Sequence, residues 1–174
     1  MDATGKSELV PEKNRTTAER KSERELVVTR TFDAPARVVF EAWTRPELLR
    51  RWWVPKSCGA SFISCEADVR TGGTYRFVFG HPAAEQPMAF FGKYVEVTPG
   101  SRLVWTNDEG GEGGAVTTVT FEERGPRTLV VMQDVYPSKE ALDNAIASGS
   151  TSGFGEAFEQ LDELFLTRSA GAGA

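Results

Sequence analysis

Residues 46–79 constrain the fold more than any other stretch of the chain, because they concentrate aromatic side chains in two kinds of secondary structure. Their sequence is PELLRRWWVPKSCGASFISCEADVRTGGTYRFVF. Trp52 and Trp53 end a predicted short helix, and each brings a large apolar area that must be covered. Tyr75, Phe77 and Phe79 alternate along a predicted strand and therefore share one face. This aromatic surface predicts a substantial core or a pocket.

Length and composition favour one folded domain with two tails. The chain has 174 residues, and 40% of them are hydrophobic, which is enough for one good core. Residues 1–24 mix Lys, Arg, Glu, Ser and Thr without apolar periodicity, which predicts a disordered N-terminal extension. Residues 25–166 form the predicted domain, and the Ala- and Gly-rich residues 167–174 are predicted to be a flexible tail.

Charge, hydropathy and cysteine usage limit the partners and the cellular location expected for the chain. The net charge is -5, and acids are interspersed with the bases, which argues against a nucleic-acid surface. No uncharged apolar run approaches the roughly 20 residues that cross a bilayer, so no membrane insertion is expected. Cys58 and Cys65 lack a CxxC spacing, and nothing before Leu26 resembles a secretion signal. We therefore expect a cytoplasmic protein.

Helical periodicity is found at two places in the predicted domain. Residues 25–32 are predicted to form a first strand, and two short helices follow it. The first of these helices carries a single apolar stripe, formed by Ala36, Val39, Phe40 and Trp43. A long amphipathic helix closes the domain, with apolar residues Phe154, Ala157, Phe158, Leu161, Leu164 and Phe165.

From Ser61 onward the apolar period changes to two, which is typical of strands with one buried face. In the first such strand the residues predicted to be buried are Ile63, Cys65, Ala67 and Val69. Further strands are predicted at 74–79, 88–97, 102–107, 116–122 and 128–135, separated by Gly, Pro or Asn turn chemistry. A run of antiparallel strands followed by a long helix predicts the α+β class, with the helix lying across a curved sheet.

Five phrases of the sequence carry a family resemblance. They are, in order, VTRTFDAPARVVFEAWTRPELLRRWWVP, ADVRTGGTYRFVF, FFGKYVEVTPGSRLVWT, TTVTFEE and SGSTSGFGEAFEQLDELF. The chain resembles the START-like SRPBCC superfamily, and within it the bacterial branch related to the activator of the ninety-kilodalton heat-shock protein's ATPase. The resemblance implies a helix-grip (START/Bet v-like) fold, in which a curved antiparallel sheet wraps around the C-terminal helix. It also implies a cavity between sheet and helix for a small hydrophobic or amphipathic molecule.

Candidate ligand-binding residues follow from the expected cavity. The Trp52-to-Pro55 turn is similar to the family's cap beside the cavity mouth. Aromatic side chains on the strands and the last helix could line a pocket or could equally be packed core. The full candidate set is Trp52, Trp53, Tyr75, Phe77, Phe79, Phe91, Tyr94, Trp105, Met132, Asp134, Phe154 and Phe158.

Asp134 is the unusual member of this set. Where many relatives carry Met or His near the end of the last strand, this chain has an acid that shares a face with Val130 and Met132. An ionised acid on a cavity wall is costly without a partner, so it needs a raised pKa, a donor or water. One hypothesis makes Asp134 a polar anchor or the general base of an enzyme. The alternative is that the strand slips by one residue and the carboxylate points into solvent.

Three functions are compatible with the sequence. The first is binding of a lipid, polyketide or aromatic ligand, the second is a cyclase- or hydratase-like enzyme, and the third is a co-chaperone that stimulates a chaperone ATPase. The sequence predicts no cofactor and no metal site, since His81 is the only histidine. Ligand identity, catalysis and oligomeric state are left open.

Overall fold

Eight antiparallel strands form one sheet in a computed structural model, which describes residues 16–108, 114–147 and 154–173. The strands are β1 (Thr17–Arg20), β2 (Glu25–Phe32), β3 (Ser61–Ala67), β4 (Thr74–Gly80), β5 (Met88–Thr98), β6 (Arg102–Thr106), β7 (Val116–Arg124) and β8 (Arg127–Val135). Their order across the sheet is β1-β2-β8-β7-β6-β5-β4-β3. The chain therefore crosses the whole sheet once, between β2 and β3, and then returns as a meander.

Four α-helices accompany the sheet in the described part of the chain. They are α1 (Ala36–Thr44), α2 (Pro46–Trp52), α3 (Lys139–Ala147) and α4 (Phe154–Gly173), and a single turn of 3-10 helix spans Lys56–Cys58. Helices α1 and α2 make the crossing from β2 to β3, whereas α3 and α4 follow β8. The predicted α+β class and helix-grip fold are confirmed.

The inner face of the sheet is set by period-two alternation. In β8 the buried side chains are Thr128, Val130, Met132 and Asp134, and their neighbours are less buried. Strand β2 alternates in the same way, and its buried set ends with Phe32. Burying these apolar side chains against the helices is the main stabilising term, at about 25 cal/mol per Å².

Aromatic rings from four elements meet in the core. Phe32 of β2 packs edge-on against Phe158 of α4, with ring centroids 5.5 Å apart. Trp43 of α1 contacts Trp52 at the end of α2, with centroids 4.6 Å apart. Trp52 is buried, and its indole N–H donates to the carbonyl oxygen of Ala42 over 2.9 Å. Both tryptophan rings also contact Phe158, with centroids 5.9 and 6.2 Å away, so the two short helices are held against α4.

Strand β3 differs from the prediction. A β-bulge between Phe62 and Ser64 shifts the alternation, so that Ile63 points outward and is 57% exposed. Phe62 turns inward instead, and its ring centroid lies 4.5 Å from that of Phe79. The predicted buried position of Ile63 is therefore wrong. One extra residue on a bulged strand reverses the faces that follow it, and the sequence alternation alone does not reveal where this happens.

Both ends of the described chain extend further than the sequence indicated. Strand β1, Thr17–Arg20, lies within the segment 1–24 predicted as a disordered extension, and it pairs with β2. An exposed edge strand needs only backbone hydrogen bonds, so it shows no apolar period. Residues 1–15 of that segment lie outside the described residues. Helix α4 continues to Gly173, into the predicted tail.

Candidate ligand-binding cavity

A cavity of about 280 Å³ lies between the inner face of the sheet and α4. It is lined by Trp43, Trp52, Trp53, Pro55, Phe90, Trp105, Asn107, Thr117, Met132, Asp134, Phe154, Ala157 and Phe158. A smaller hollow of about 70 Å³ adjoins it and reaches deeper under β4 and β5, towards Tyr75, Phe77 and Tyr94. Close-packed interiors contain few voids larger than a water molecule, so a space of this size is not ordinary core.

Each wall of the cavity comes from a different part of the fold. The sheet supplies side chains of β5, β6, β7 and β8, while α4 supplies Phe154, Ala157 and Phe158. Trp43 enters from α1, and the turn after α2 contributes Trp53 and Pro55. Because strands and helices rather than long loops form most of these walls, their geometry is held by the core.

Ten of the predicted ligand-binding residues line the two hollows. They are Trp52, Trp53, Tyr75, Phe77, Tyr94, Trp105, Met132, Asp134, Phe154 and Phe158. Phe79 lines neither hollow, because it is buried against Phe62 and Phe90. That these side chains bind a ligand stays a prediction.

Phe91 is placed on the other face of the sheet. In the β4–β5 pairing, Phe90 lies opposite Phe77, whereas Phe91 lies opposite Arg76. Directly paired residues point to the same face, so Phe90 shares the inner face with Phe77 and lines both hollows. The prediction that Phe91 faces the cavity is wrong, because the preceding residue, Phe90, faces it instead.

Sequence reasoning also missed four polar or aromatic residues of the wall. Trp43, which the periodicity predicts on a buried helix stripe, packs in the core and also lines the cavity. Asn107 follows β6, and Thr117 lies directly opposite Asp134 in the β7–β8 pairing. Phe90 is the fourth. The pairing of Thr117 with Asp134 depends on strand register between distant segments, for which the sequence carries no local signal.

Asp134 places a carboxylate on the cavity wall. Its side chain is buried at 8% exposure, and its Oδ1 accepts a hydrogen bond from Thr117 Oγ1 over 2.6 Å. Burial raises the pKa of Asp134 from 3.8 to about 6, and the hydrogen bond from Thr117 acts in the opposite direction. The alternative in which the carboxylate points into solvent is excluded by this burial.

The indole nitrogen of Trp43 lacks a hydrogen-bond partner among the described residues. This atom, Nε1, is buried. By contrast, the hydroxyl of Tyr75 donates to the carbonyl oxygen of Thr106 over 2.7 Å. The hydroxyl of Tyr94 is buried, and this burial raises the pKa of Tyr94. An unsatisfied buried donor costs about 1 to 3 kcal/mol of folding free energy, and because this nitrogen is inaccessible from the cavity, it is a cost of packing the ring in the core.

Gln160 of α4 holds the turn at the edge of the cavity. Its side-chain amide donates to the carbonyl oxygens of Trp52, over 3.1 Å, and Val54, over 3.0 Å. Its Oε1 accepts the backbone N–H of Lys56 over 2.8 Å. Gln160 is buried, so these three bonds fix the position of the Trp53 side chain relative to α4.

The histidine and the two cysteines lie away from the cavity lining. His81 Nε2 is 2.9 Å from the carbonyl oxygen of Cys58, in a loop before β5. Cys58 is exposed, and Cys65 is buried, which raises the pKa of its thiol to about 11. Within the described ranges, no group of three His, Cys, Asp or Glu side chains is placed to hold a metal ion. The described helices also lack the length and apolar character that a membrane crossing needs.

The fold is shared with solved bacterial proteins. A protein from Rhodobacter sphaeroides has a TM-score of 0.79 at 23% identity, covering 87% of this chain and 98% of that chain. A protein from Nitrosomonas europaea has a TM-score of 0.76 at 24% identity, with coverages of 86% and 99%. An AHSA1-like protein from Aeromonas hydrophila has a TM-score of 0.63 at 15% identity, with coverages of 80% and 94%. No curated protein matches the sequence significantly.

A curved antiparallel sheet that encloses a cavity with its C-terminal helix defines a protein of the helix-grip class. Within this class, the sequence identifies the family to which the protein belongs. The chain belongs to the family of Activator of Hsp90 ATPase homolog 1-like proteins, whose family model matches residues 33–165. The resemblance drawn from the sequence is thereby confirmed.

Proposed function

We propose that the protein binds a small apolar or amphipathic molecule in the cavity between the sheet and α4. The observation that carries this proposal is the cavity itself, with a volume of about 280 Å³ and walls made mostly of aromatic rings. Removing side-chain volume from a core costs about 24 cal/mol per Å³ of cavity, so an unused cavity would be a considerable loss of stability. A few polar groups among apolar walls are the usual composition of a small-molecule site.

Native mass spectrometry of the purified protein, followed by extraction and identification of any retained molecule, tests this proposal. A copurifying organic molecule supports it and identifies the compound class. As a matched pair, Ala157→Leu fills the cavity from α4, whereas Glu159→Ala changes the exposed side of the same helix. Retention that is lost in the first variant and kept in the second assigns the molecule to the cavity. Equal retention in both would contradict the assignment.

Enzymatic turnover is a second candidate, and Asp134 is the observation that favours it. A carboxyl group with a pKa of about 6 lies close to the range in which a general base works at neutral pH. In a cyclase- or hydratase-like reaction it would take a proton from a substrate held by the aromatic walls. Incubation of the extracted ligand with fresh protein distinguishes the two, because a carrier returns the ligand unchanged and an enzyme converts it.

The co-chaperone alternative is supported by the description of the family alone. A chaperone activator should copurify with an ATPase and stimulate it. A ligand carrier should do neither, so a pull-down with an ATPase assay separates these functions.

A further inference from the structure

We infer that the ligand is an organic cation: an ammonium group attached to an apolar or aromatic body, with an N–H directed at Asp134. This inference rests on the proposed function and narrows it to one chemical class. It follows from the charge of the cavity wall, from the hydrogen-bonding state of Asp134 and from the arrangement of the tryptophan rings.

The wall of the cavity carries one charged group and no compensating cation. Among the residues that line it, Asp134 is the single acid, and Lys, Arg and His are absent from the described lining. The remaining side chains are apolar, aromatic, amide or hydroxyl. An anionic ligand such as a fatty acid would place a second negative charge in a site of low polarity, whereas a cation neutralises the first.

The carboxylate of Asp134 can accept a further hydrogen bond. Thr117 occupies Oδ1, and within the described residues no donor reaches Oδ2. Its paired neighbours, Leu26 on β2 and Thr117 on β7, are uncharged, and the α4 side chains that line the same cavity are Phe154, Ala157 and Phe158. Tyr136 is also nearby, and burial, followed by the charge of Asp134, raises the pKa of its hydroxyl. A ligand donor is therefore the missing partner.

Aromatic rings line the same cavity as this carboxylate. The rings of Trp53 and Trp105 lie side by side on its wall, with centroids 6.3 Å apart and planes inclined by 55°. Trp43 adds a third indole, and Phe154 and Phe158 close the side towards α4. Indole faces attract organic cations most strongly among the aromatic side chains. Aromatic walls combined with one open carboxylate match an ammonium ion better than a neutral or anionic head group.

Isothermal titration calorimetry with three probes of the same shape tests the inference. Tryptamine, tryptophol and indoleacetate share one skeleton and carry a positive, a neutral and a negative end. At pH 8 we expect tryptamine to bind about tenfold more tightly than tryptophol, and indoleacetate to bind most weakly. The preference for the amine should decline as the pH falls through about 6, because Asp134 becomes protonated.

Asp134→Asn is the matched variant, since it keeps the shape and the acceptor for Thr117 but removes the charge. In this variant the affinity for tryptamine should fall about tenfold, while that for tryptophol should change by less than about threefold. Equal binding of the two probes to the natural protein, or tightest binding of indoleacetate, would overturn the inference and leave the proposed function standing. Phenethyl and naphthylethyl probes with the same three end groups cover smaller and larger sizes. If no probe of any size binds and no molecule copurifies, the inference and the proposed function both fail.

Discussion

Thr117 donates its hydroxyl hydrogen to Asp134 across the β7–β8 pair, over 2.6 Å, and both side chains are buried. This bond satisfies one carboxylate oxygen inside a wall that is otherwise apolar. The other oxygen has no donor among the described residues. The pair is therefore the main polar feature of the cavity wall.

The pKa of Asp134 should be measurable directly. Burial raises it from 3.8 to about 6, and the hydrogen bond from Thr117 lowers it. We expect the side-chain carboxyl carbon of Asp134 to titrate near pH 6 by NMR, and to titrate higher in Thr117→Val, which lacks the donor. An ordinary midpoint near 4 in the natural protein would remove the case for Asp134 as a base.

The same shift predicts a pH-dependent stability. Because the folded protein binds this proton more tightly than the unfolded chain, the free energy of unfolding falls as the pH rises from about 4 to about 6. Relative to Asp134→Asn, the natural protein should lose about 3 kcal/mol over that window, at about 1.4 kcal/mol for each unit of pKa. Below about pH 4 the difference in the free energy of unfolding between the natural protein and Asp134→Asn should be constant. Urea denaturation at a series of pH values measures it, and parallel curves for the two proteins would contradict the prediction.

Phe154 and Phe158 should separate ligand binding from stability. Phe158 is 2% exposed and packs against Phe32, Trp43 and Trp52, so Phe158→Ala should cost about 3 to 5 kcal/mol of folding free energy. Phe154 is half-buried at the start of α4, and Phe154→Ala should cost about 1 kcal/mol. Both variants should bind tryptophol more weakly than the natural protein does. Urea denaturation and calorimetry report the two effects, and an equal stability loss in both variants would show that Phe154 is also core.

Gln160 should control the turn that carries Trp53. Replacing it with Met keeps most of the side-chain volume but leaves the N–H of Lys56 and two carbonyl groups without their partner. We expect a loss of about 2 to 3 kcal/mol and faster hydrogen exchange at the Lys56 amide. Glu159→Gln, on the exposed side of the same helix, is the control and should change neither. Unchanged protection of Lys56 in Gln160→Met would mean that the turn is held by other contacts.

The sequence predicted the fold class and the alternation of β8, because both depend on long regular patterns. Val130, Met132 and Asp134 continue one alternation through a nine-residue strand, but whether their common face points inward at Asp134 was left open until the structure showed its burial. The aromatic composition of the site was likewise visible in the sequence. These are local properties that any single strand or helix expresses by itself.

Other features depend on how distant segments meet. Phe90 and Phe91 are adjacent and identical in type, so only the pairing of β5 with β4 decides which one faces the cavity. Ile63 is displaced by a bulge, and Thr117 becomes part of the site through its register with β8. None of these relationships is encoded in the alternation of one segment, which is why the sequence missed them.

Strand β1 has a consequence for how the protein behaves in a crowded solution. It covers the backbone edge of β2, and Arg20 ties it to Asp143 of α3 over 2.8 Å. Without β1, the Leu-Val-Val run of β2 would present unpaired N–H and C=O groups to neighbouring molecules, a template for edge-to-edge aggregation. The outermost strand carries Glu19 and Arg20 instead, and a charged edge discourages such association. A short polar segment thereby makes this edge of the sheet a poor template for pairing with another copy of the protein.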